Sequence, residues 1–194
     1  VAAAGSLLMA CRGSHPVTIG VQSYSFRDRS LEDAIAGMQK LGLTSCELWQ
    51  GHLEPRRVPR EEMRQWRETV EMDFFHRVRD QFAKASINLS AYNISFRDDF
   101  SDAEIERGFD MARALGAPSI TSSSNVATVA RIAPVATRQK MLVAVHNHSR
   151  IDPNEFATPK SFATALDMSP FFRINLDIGH FTAADFDTLA FLDA

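Results

Sequence analysis

The chain has 194 residues, of which 45% are hydrophobic and 23% are charged. This composition is typical of a globular protein with one sizeable core, and it excludes disordered, collagen-like and membrane-bundle classes. The formal net charge is −3, so the basic excess that nucleic-acid-binding proteins usually show is absent and we expect no nucleic-acid partner. The two cysteines, Cys11 and Cys46, are too few for a disulfide framework.

The first sixteen residues differ from the rest of the chain. The opening stretch VAAAGSLLMA is apolar and rich in small residues, and Cys11 follows it directly. It is too short to span a bilayer as a helix, but it has the size of the apolar region of a signal peptide. LMAC also resembles a bacterial lipobox. We expect residues 1–16 to be an export-signal remnant with a lipid anchor at Cys11, in an exported protein; a plain tail on a cytoplasmic protein is the alternative.

From Thr18 onward the sequence repeats a strand followed by a helix. Runs rich in β-branched and apolar residues predict strands at 18–24, 43–49, 87–92, 118–122, 141–146 and 172–178. Helical spacing of apolar residues predicts helices at 30–41, 60–84, 101–115, 126–140 and 159–166, with another beginning near residue 185. Ser30 and Ser101 are the predicted N-caps of two of these helices, which Gly42 and Gly116 end.

The alternation of strands and helices predicts an all-parallel sheet with helices outside it. A doubly wound sheet and a (β/α)₈ TIM barrel both fit this pattern. The turn after the first strand reads SFRDRS and lacks the glycine-rich phosphate-binding fingerprint of doubly wound nucleotide-binding proteins. We therefore predict a TIM barrel, as a single domain over 17–194. A complete barrel takes about 250 residues, so about six of its eight units are expected here and a longer natural chain is expected.

Polar and aromatic side chains cluster at the carboxyl ends of the predicted strands, where TIM barrels carry their active sites. Four of the six histidines lie at these positions. Glu47 is open to two interpretations, a site carboxylate or a structural ion pair with a neighbouring arginine. The predicted site residues are Gln22, Tyr24, Glu47, Trp49, His52, Asn93, His146, His148, Asp177 and His180.

Two strand ends carry most of this pattern. The run LVAVHNH ends in two histidines at i and i+2, which point the same way in an extended chain, so His146 and His148 should face one site. In INLDIGH, Asp177 emerges from a buried strand, where a lone carboxylate needs a partner. A divalent metal would supply that partner, and the donor types suit Mn, Zn, Fe or Co, with Mg as a further candidate. Structural histidines are the competing interpretation.

The serine-rich segment at 122–125 precedes the helix predicted at 126–140. We expect its polar side chains to cap that helix. Binding of an anion such as a sugar phosphate at the helix N-terminus is the alternative.

The strings GVQSYSFRD, CELWQGH, VAVHNHS and INLDIGHFTAA resemble the xylose isomerase-like TIM barrels, a superfamily of sugar and sugar-phosphate isomerases and epimerases. The resemblance extends over about residues 18–194. It implies that Asp177 is a metal ligand and that His180 binds metal or substrate. The fifth strand of such barrels usually ends in a metal-binding glutamate, where this chain has His146. The family's ligands from strands seven and eight have no counterpart in the six units.

The resemblance implies a metal-dependent isomerase or epimerase that acts on a small sugar or polyol. Asp177, His146 and His180 would hold the metal, and His146, His180 and Glu47 would take part in catalysis. The expected substrate contacts come from Gln22, Tyr24, Trp49, His52, Asn93 and His148. Two alternatives stay open: a metal-dependent hydrolase or lyase on the same barrel, and a non-catalytic exported carbohydrate-binding protein. A homo-oligomer is compatible with all three.

Overall fold

The computed structural model describes residues 17–193 as six parallel strands with helices between them. The predicted export signal and Cys11 lie outside the described residues. The strands are β1 (Val21–Gln22), β2 (Ser45–Trp49), β3 (Asn88–Asn93), β4 (Ser119–Ser122), β5 (Leu142–His146) and β6 (Phe172–Asn175). The helices are α1 (Leu31–Lys40), α2 (Arg60–Thr69), α3 (Met72–Lys84), α4 (Asp102–Ala114), α5 (Val126–Gln139), α6 (Pro159–Met168), α7 (Ile178–Ala183) and α8 (Thr188–Leu192).

The strand order decides between the two predicted closures. Each strand pairs in parallel with the next strand along the chain, which gives the order β1-β2-β3-β4-β5-β6. A doubly wound sheet would reverse its order at a switch point, whereas a TIM barrel keeps one direction. The predicted fold class is therefore confirmed: the described residues form six units of a partial (β/α) barrel. None of the helices within 17–193 has the length and apolar character needed to cross a bilayer.

Local sequence signals set most helix ends. The hydroxyl of Ser30 accepts a hydrogen bond from the Asp33 N–H, and Ser101 forms a capping box with Glu104, as the sequence predicts. Each such cap is worth about 1 kcal/mol. Gly42 follows α1 with a positive φ of 70°, a conformation that costs a residue with a Cβ more than it costs glycine.

The single helix predicted over 60–84 is wrong, because the chain leaves the helical conformation at Val70 and forms α2 and α3 instead. The Arg107 guanidinium donates hydrogen bonds to the carbonyls of Arg67 and Val70, which the continuing helix would otherwise use. No proline or glycine marks this break, so the local sequence carries no signal for it.

Two predicted strands are also too long. Residues 18–24 form only the two-residue β1, because the hydroxyl of Ser23 accepts the Trp49 N–H at 2.8 Å and a 3₁₀ turn begins there. The strand predicted at 172–178 ends at Asn175, and Asp177 is the N-cap of α7 instead of a strand residue.

A buried ion network ties α2 to α4 beside the sheet. Arg67 pairs with Glu54 at 2.7 Å and with Glu104 at 3.1 Å, and all three side chains are almost fully buried. Arg60 also pairs with Glu104, at 2.6 Å. Burial tends to raise the pKa of Glu104, but hydrogen bonds from Arg60, the Ser101 N–H and Arg67 hold it below its usual value. The network therefore stabilises the fold at neutral pH and loses that contribution as the pH falls through the lowered pKa.

Replacing Arg67 with methionine should lower the free energy of unfolding by about 3–5 kcal/mol, because Glu54 would stay buried without its arginine partner and Glu104 would keep only Arg60. Arg64→Met is the matched control on the same helix, since the pair of Arg64 with Glu61 is exposed and should contribute less than about 1 kcal/mol. Urea unfolding at pH 7 measures both variants. Equal losses in the two variants would contradict the structural importance of the network.

Candidate functional site

A cleft of about 470 Å³ opens at the carboxyl ends of the strands. Parallel strands bring these ends to one edge of the sheet, so side chains far apart in sequence meet there. The residues that line the cleft are Gln22, Tyr24, Trp49, Asn93, Ser95, Arg97, Ser123, His146, His148, Asp177 and His180. Eight of the ten residues predicted for the site are in this lining, and Glu47 and His52 are not.

Three of the lining residues form a candidate metal centre. One donor atom each from His146, Asp177 and His180 lie within 4.8 Å of one another. Ligands bound to one ion at about 2.0–2.2 Å lie roughly 3–4 Å apart, so small side-chain rotations bring this set to bonding distance. Two imidazoles and a carboxylate are a donor set that suits Zn, Mn, Fe or Co. These residues therefore fit the metal that the sequence predicts.

The third imidazole at this site belongs to His148. Its ring centre lies 5.2 Å from that of His146 and 5.4 Å from that of His180. The i, i+2 spacing at the end of β5 thus brings both histidines to one cleft, as predicted. The His148 N–H donates to the Phe156 carbonyl at 2.8 Å, which fixes the backbone just beyond the strand.

Asp177 and His180 are placed by the first turn of α7. One carboxylate oxygen of Asp177, Oδ1, accepts the His180 N–H at 2.7 Å and so caps the helix. The cap leaves the second oxygen, Oδ2, with no hydrogen-bond donor among residues 17–193. A single aspartate can therefore cap the helix and keep one oxygen free as a metal donor, and the spacing of three residues brings His180 to the same cluster.

Asn147 holds Asp177 in place. Its side-chain carbonyl accepts the Asp177 N–H at 2.8 Å, and its amide donates to the Asp177 carbonyl at 3.1 Å. The side chain is fully buried. The backbone ladder between β5 and β6 stops at the pair His146 and Asn175, and the Asn147 amide continues it beyond that point. The sequence did not assign Asn147 to the site, because its role depends on the neighbouring strand.

The surroundings of His146 favour its neutral form. Burial lowers the pKa of His146, and the neighbouring His148 and His180 lower it further, while Asp177 acts in the opposite direction. A neutral imidazole keeps a lone pair free for a metal ion. The lowered pKa of His146 therefore favours the neutral imidazole, which is the form that a metal ligand requires.

Glu47 lies beneath the cleft, within a hydrogen-bonded group that joins four strands. Its Oε1 accepts from the amide of Gln22 at 2.8 Å and from the hydroxyl of Thr121. Asn93 donates to the same hydroxyl at 3.1 Å. This arrangement fits a supporting carboxylate that orients Gln22 and Asn93 better than a direct contact to substrate. The ion pair with an arginine, the other interpretation of Glu47, does not form among the described residues.

Aromatic residues form one wall of the cleft. The rings of Tyr24 and Trp49 pack edge to face with their centres 4.9 Å apart. A Cβ on Gly51 would lie 2.2 Å from the indole, so only glycine lets the Trp49 ring lie over this turn. The rings of His52 and Trp49 pack edge to face with their centres 5.6 Å apart, but His52 lines a separate cleft. The Nε2 atom of His52 lies 3.0 Å from the Ser23 carbonyl oxygen.

Three lining residues were not assigned to the site from the sequence: Ser95, Arg97 and Ser123. Ser95 and Arg97 lie in the loop after β3, two and four residues past Asn93, so extending the strand-end rule into the loops would have found them. The N-terminus of α5 is capped, as expected. Asn154 and Asn125 accept its first N–H groups, which leaves those groups without capacity for an anion.

Neither a protein-family model nor a curated protein matches the sequence. Solved structures do match. A xylose isomerase domain-containing protein from Salmonella typhimurium is 12% identical, with a TM-score of 0.63 over 87% of this chain and 63% of that one. 3-Keto-D-glucoside 4-epimerase from E. coli is 12% identical, with a TM-score of 0.63 over 92% of this chain and 74% of that one. A Bacillus anthracis protein of petrobactin synthesis, assigned as a 3-DHS dehydratase, is 18% identical. Its TM-score is 0.66 over 91% of this chain and 69% of that one.

The chain has the xylose isomerase-like TIM-barrel fold. The resemblance drawn from the strand-end motifs is thereby confirmed at the level of fold. Sugar-modifying enzymes are prominent among the structures with this fold, and the candidate metal centre lies where such barrels carry their active sites.

Replacing Asn147 with alanine should weaken metal binding about tenfold, at the lower end of the losses seen when an outer partner of a ligand is removed. The reason is that Asp177 would lose both side-chain hydrogen bonds to its backbone. Ser169→Ala is the matched control, because Ser169 is also buried and hydrogen-bonded beside β6 but lies at its opposite end. Titration with Mn²⁺ or Zn²⁺ at a temperature where all variants are folded gives the affinities. Equal affinities in the two variants would show that Asn147 has only a structural role.

Proposed function

We propose that this chain belongs to a metal-dependent isomerase or epimerase that acts on a sugar or polyol. The observation that carries the proposal is the cluster of His146, Asp177 and His180 at the carboxyl ends of the strands, in an open polar cleft of a xylose isomerase-like barrel. An aromatic wall and a strand-end amide beside the cluster suit a sugar ring or chain, which has one apolar face and many hydroxyl groups.

A bound divalent metal would polarise a substrate carbonyl and make the neighbouring C–H more acidic. The described residues supply the rest of the chemistry. His148 borders the cluster but is outside its three donors, so its imidazole is the group best placed to take and return a proton. Gln22 and Asn93 offer amides to substrate hydroxyl groups, and Glu47 and Thr121 hold these amides in orientation.

Lyase or hydrolase chemistry is the second candidate, and one observation favours it. His146 lies where such barrels usually have a metal-binding glutamate, which makes the centre richer in imidazole and suits a zinc-bound hydroxide. A protein with a similar fold is assigned as a 3-DHS dehydratase, which supports elimination as the second candidate. Product analysis separates the two: an isomerase keeps the mass of its substrate, whereas a dehydratase removes water.

The non-catalytic carbohydrate-binding alternative predicts no exchange of substrate C–H for deuterium. It is compatible with the export signal proposed for residues 1–16. The experiment below separates it from both enzymes.

Asp177→Asn should reduce metal affinity by more than the roughly 10–100-fold that loss of an outer partner costs, because a ligand itself is removed. Asparagine caps helices as well as aspartate, so α7 should stay formed. Asp187→Asn is the matched control, since Asp187 caps α8 in the same way but lies outside the cleft.

The readouts are metal content and, by NMR in D₂O, exchange of the proton next to the carbonyl in a panel of ketoses. The wild-type chain and Asp187→Asn should bind the ion and catalyse exchange of at least one ketose, and Asp177→Asn should do neither. Unchanged metal content and exchange in Asp177→Asn would refute the proposal.

A further inference from the structure

The loop between β3 and α4 brings an arginine to the middle of a longer trough. Arg97 lines the cleft with the histidine cluster and also an adjacent cleft of about 440 Å³. Ser123 and His148 line both clefts as well, so the two are lobes of one trough. Arg97 lies at their junction, close to the candidate metal centre but not part of it.

The backbone around Arg97 is held on both sides. The side chain of Asp98 accepts hydrogen bonds from Asn125 and Thr128 on the α5 side. Asp99 accepts from Arg60 on α2, and the Phe100 carbonyl accepts from Arg131 at 2.8 Å. The loop is therefore a fixed element, and its position does not depend on a contact made by the Arg97 side chain.

The Arg97 side chain itself has no hydrogen bond or ion pair with any of residues 17–193, although two aspartates follow it directly. Those aspartates are engaged by other residues, Asp98 by Asn125 and Thr128 and Asp99 by Arg60. A guanidinium that faces a polar cleft with free donors is a ready partner for a planar or tetrahedral oxygen anion, which it binds through two parallel N–H groups.

The charges of the residues that line the cleft also favour an anion near Arg97. Arg97 is the one arginine or lysine and Asp177 the one carboxylate in the lining of the lobe that holds the cluster. With a divalent ion bound, that lobe carries more positive than negative charge. The second lobe contains Asp98, Asp99 and Glu155, so it disfavours an anion. The N–H groups at the start of α5 are taken by Asn125 and Asn154.

We propose that Arg97 binds an oxygen anion on the substrate, so that the proposed isomerase acts on an acidic polyol, a sugar acid or a sugar phosphate, in preference to a neutral sugar. The inference rests on the proposed function for the reaction at the other end of the substrate. The anion would lie at the junction of the two lobes, with the carbon chain extending toward His146 and Asp177.

Three probes with the same six-carbon chain test this: sorbitol, gluconate and sorbitol 6-phosphate. Each is titrated calorimetrically into the Mn²⁺-loaded and the metal-free chain, as wild type, Arg97→Gln and Arg77→Gln. Arg77 is the matched control, because it is exposed on α3, away from the trough. At least one anionic probe should bind wild type and Arg77→Gln about tenfold tighter than sorbitol, since hydrogen bonds between charged groups are the strong ones. Arg97→Gln should reduce that preference to about twofold or less, with its Mn²⁺ affinity unchanged.

The identity of the preferred probe distinguishes a carboxylate from a phosphate. Three outcomes would overturn the proposal. Wild type could prefer the anionic probes over sorbitol by less than about twofold, or a tenfold preference could survive in Arg97→Gln. The third outcome is that none of the three probes binds. Failure of the proposed function gives a different result: the chain would take up no Mn²⁺. The metal-free titrations would then still decide whether the anion preference depends on Arg97.

Discussion

The candidate site depends on one pair of hydrogen bonds, in which the buried side chain of Asn147 binds both backbone groups of Asp177. The strand ladder ends just before this point, so the Asn147 amide is the next link between the end of β5 and the turn into α7. That turn carries Asp177 and His180, two of the three donors of the candidate metal centre. The candidate centre is therefore an extension of the β5–β6 pairing into the segments that directly follow the two strands.

The same logic extends across the cleft. Parallel strands in sequential order bring their carboxyl ends to one edge, where β1 and β3 add amides, β2 adds an indole, and β5 and the first turn of α7 add imidazoles. Glu47 and Thr121 connect the first four strands beneath the lining through shared hydrogen bonds. Charge is distributed along the trough: the candidate metal centre lies in one lobe, Asp98, Asp99 and Glu155 line the other, and Arg97 lines both.

Sequence reasoning predicted the fold class and eight of the ten assigned cleft residues, because both follow from short-range patterns: alternating strands and helices, and polar groups at strand ends. It failed where long-range contacts decide. Arg107 ends α2 from a neighbouring helix, and His52, whose ring packs against Trp49, lines a separate cleft. The roles of Asn147 and Arg97 could not be predicted from the sequence either. Asn147 acts through hydrogen bonds to Asp177 in a distant segment. Arg97 is notable because its side chain has no hydrogen-bond or ion-pair partner among residues 17–193.

The central claim is that His146, Asp177 and His180 bind one divalent metal ion. Crystals of the protein grown with MnCl₂, with X-ray data collected on both sides of the manganese absorption edge, test it directly. We expect a single strong anomalous peak at about 2.0–2.3 Å from an imidazole nitrogen of each histidine and a carboxylate oxygen of Asp177. A well-ordered site without such a peak at saturating Mn²⁺, or a peak bound by other residues, would contradict it.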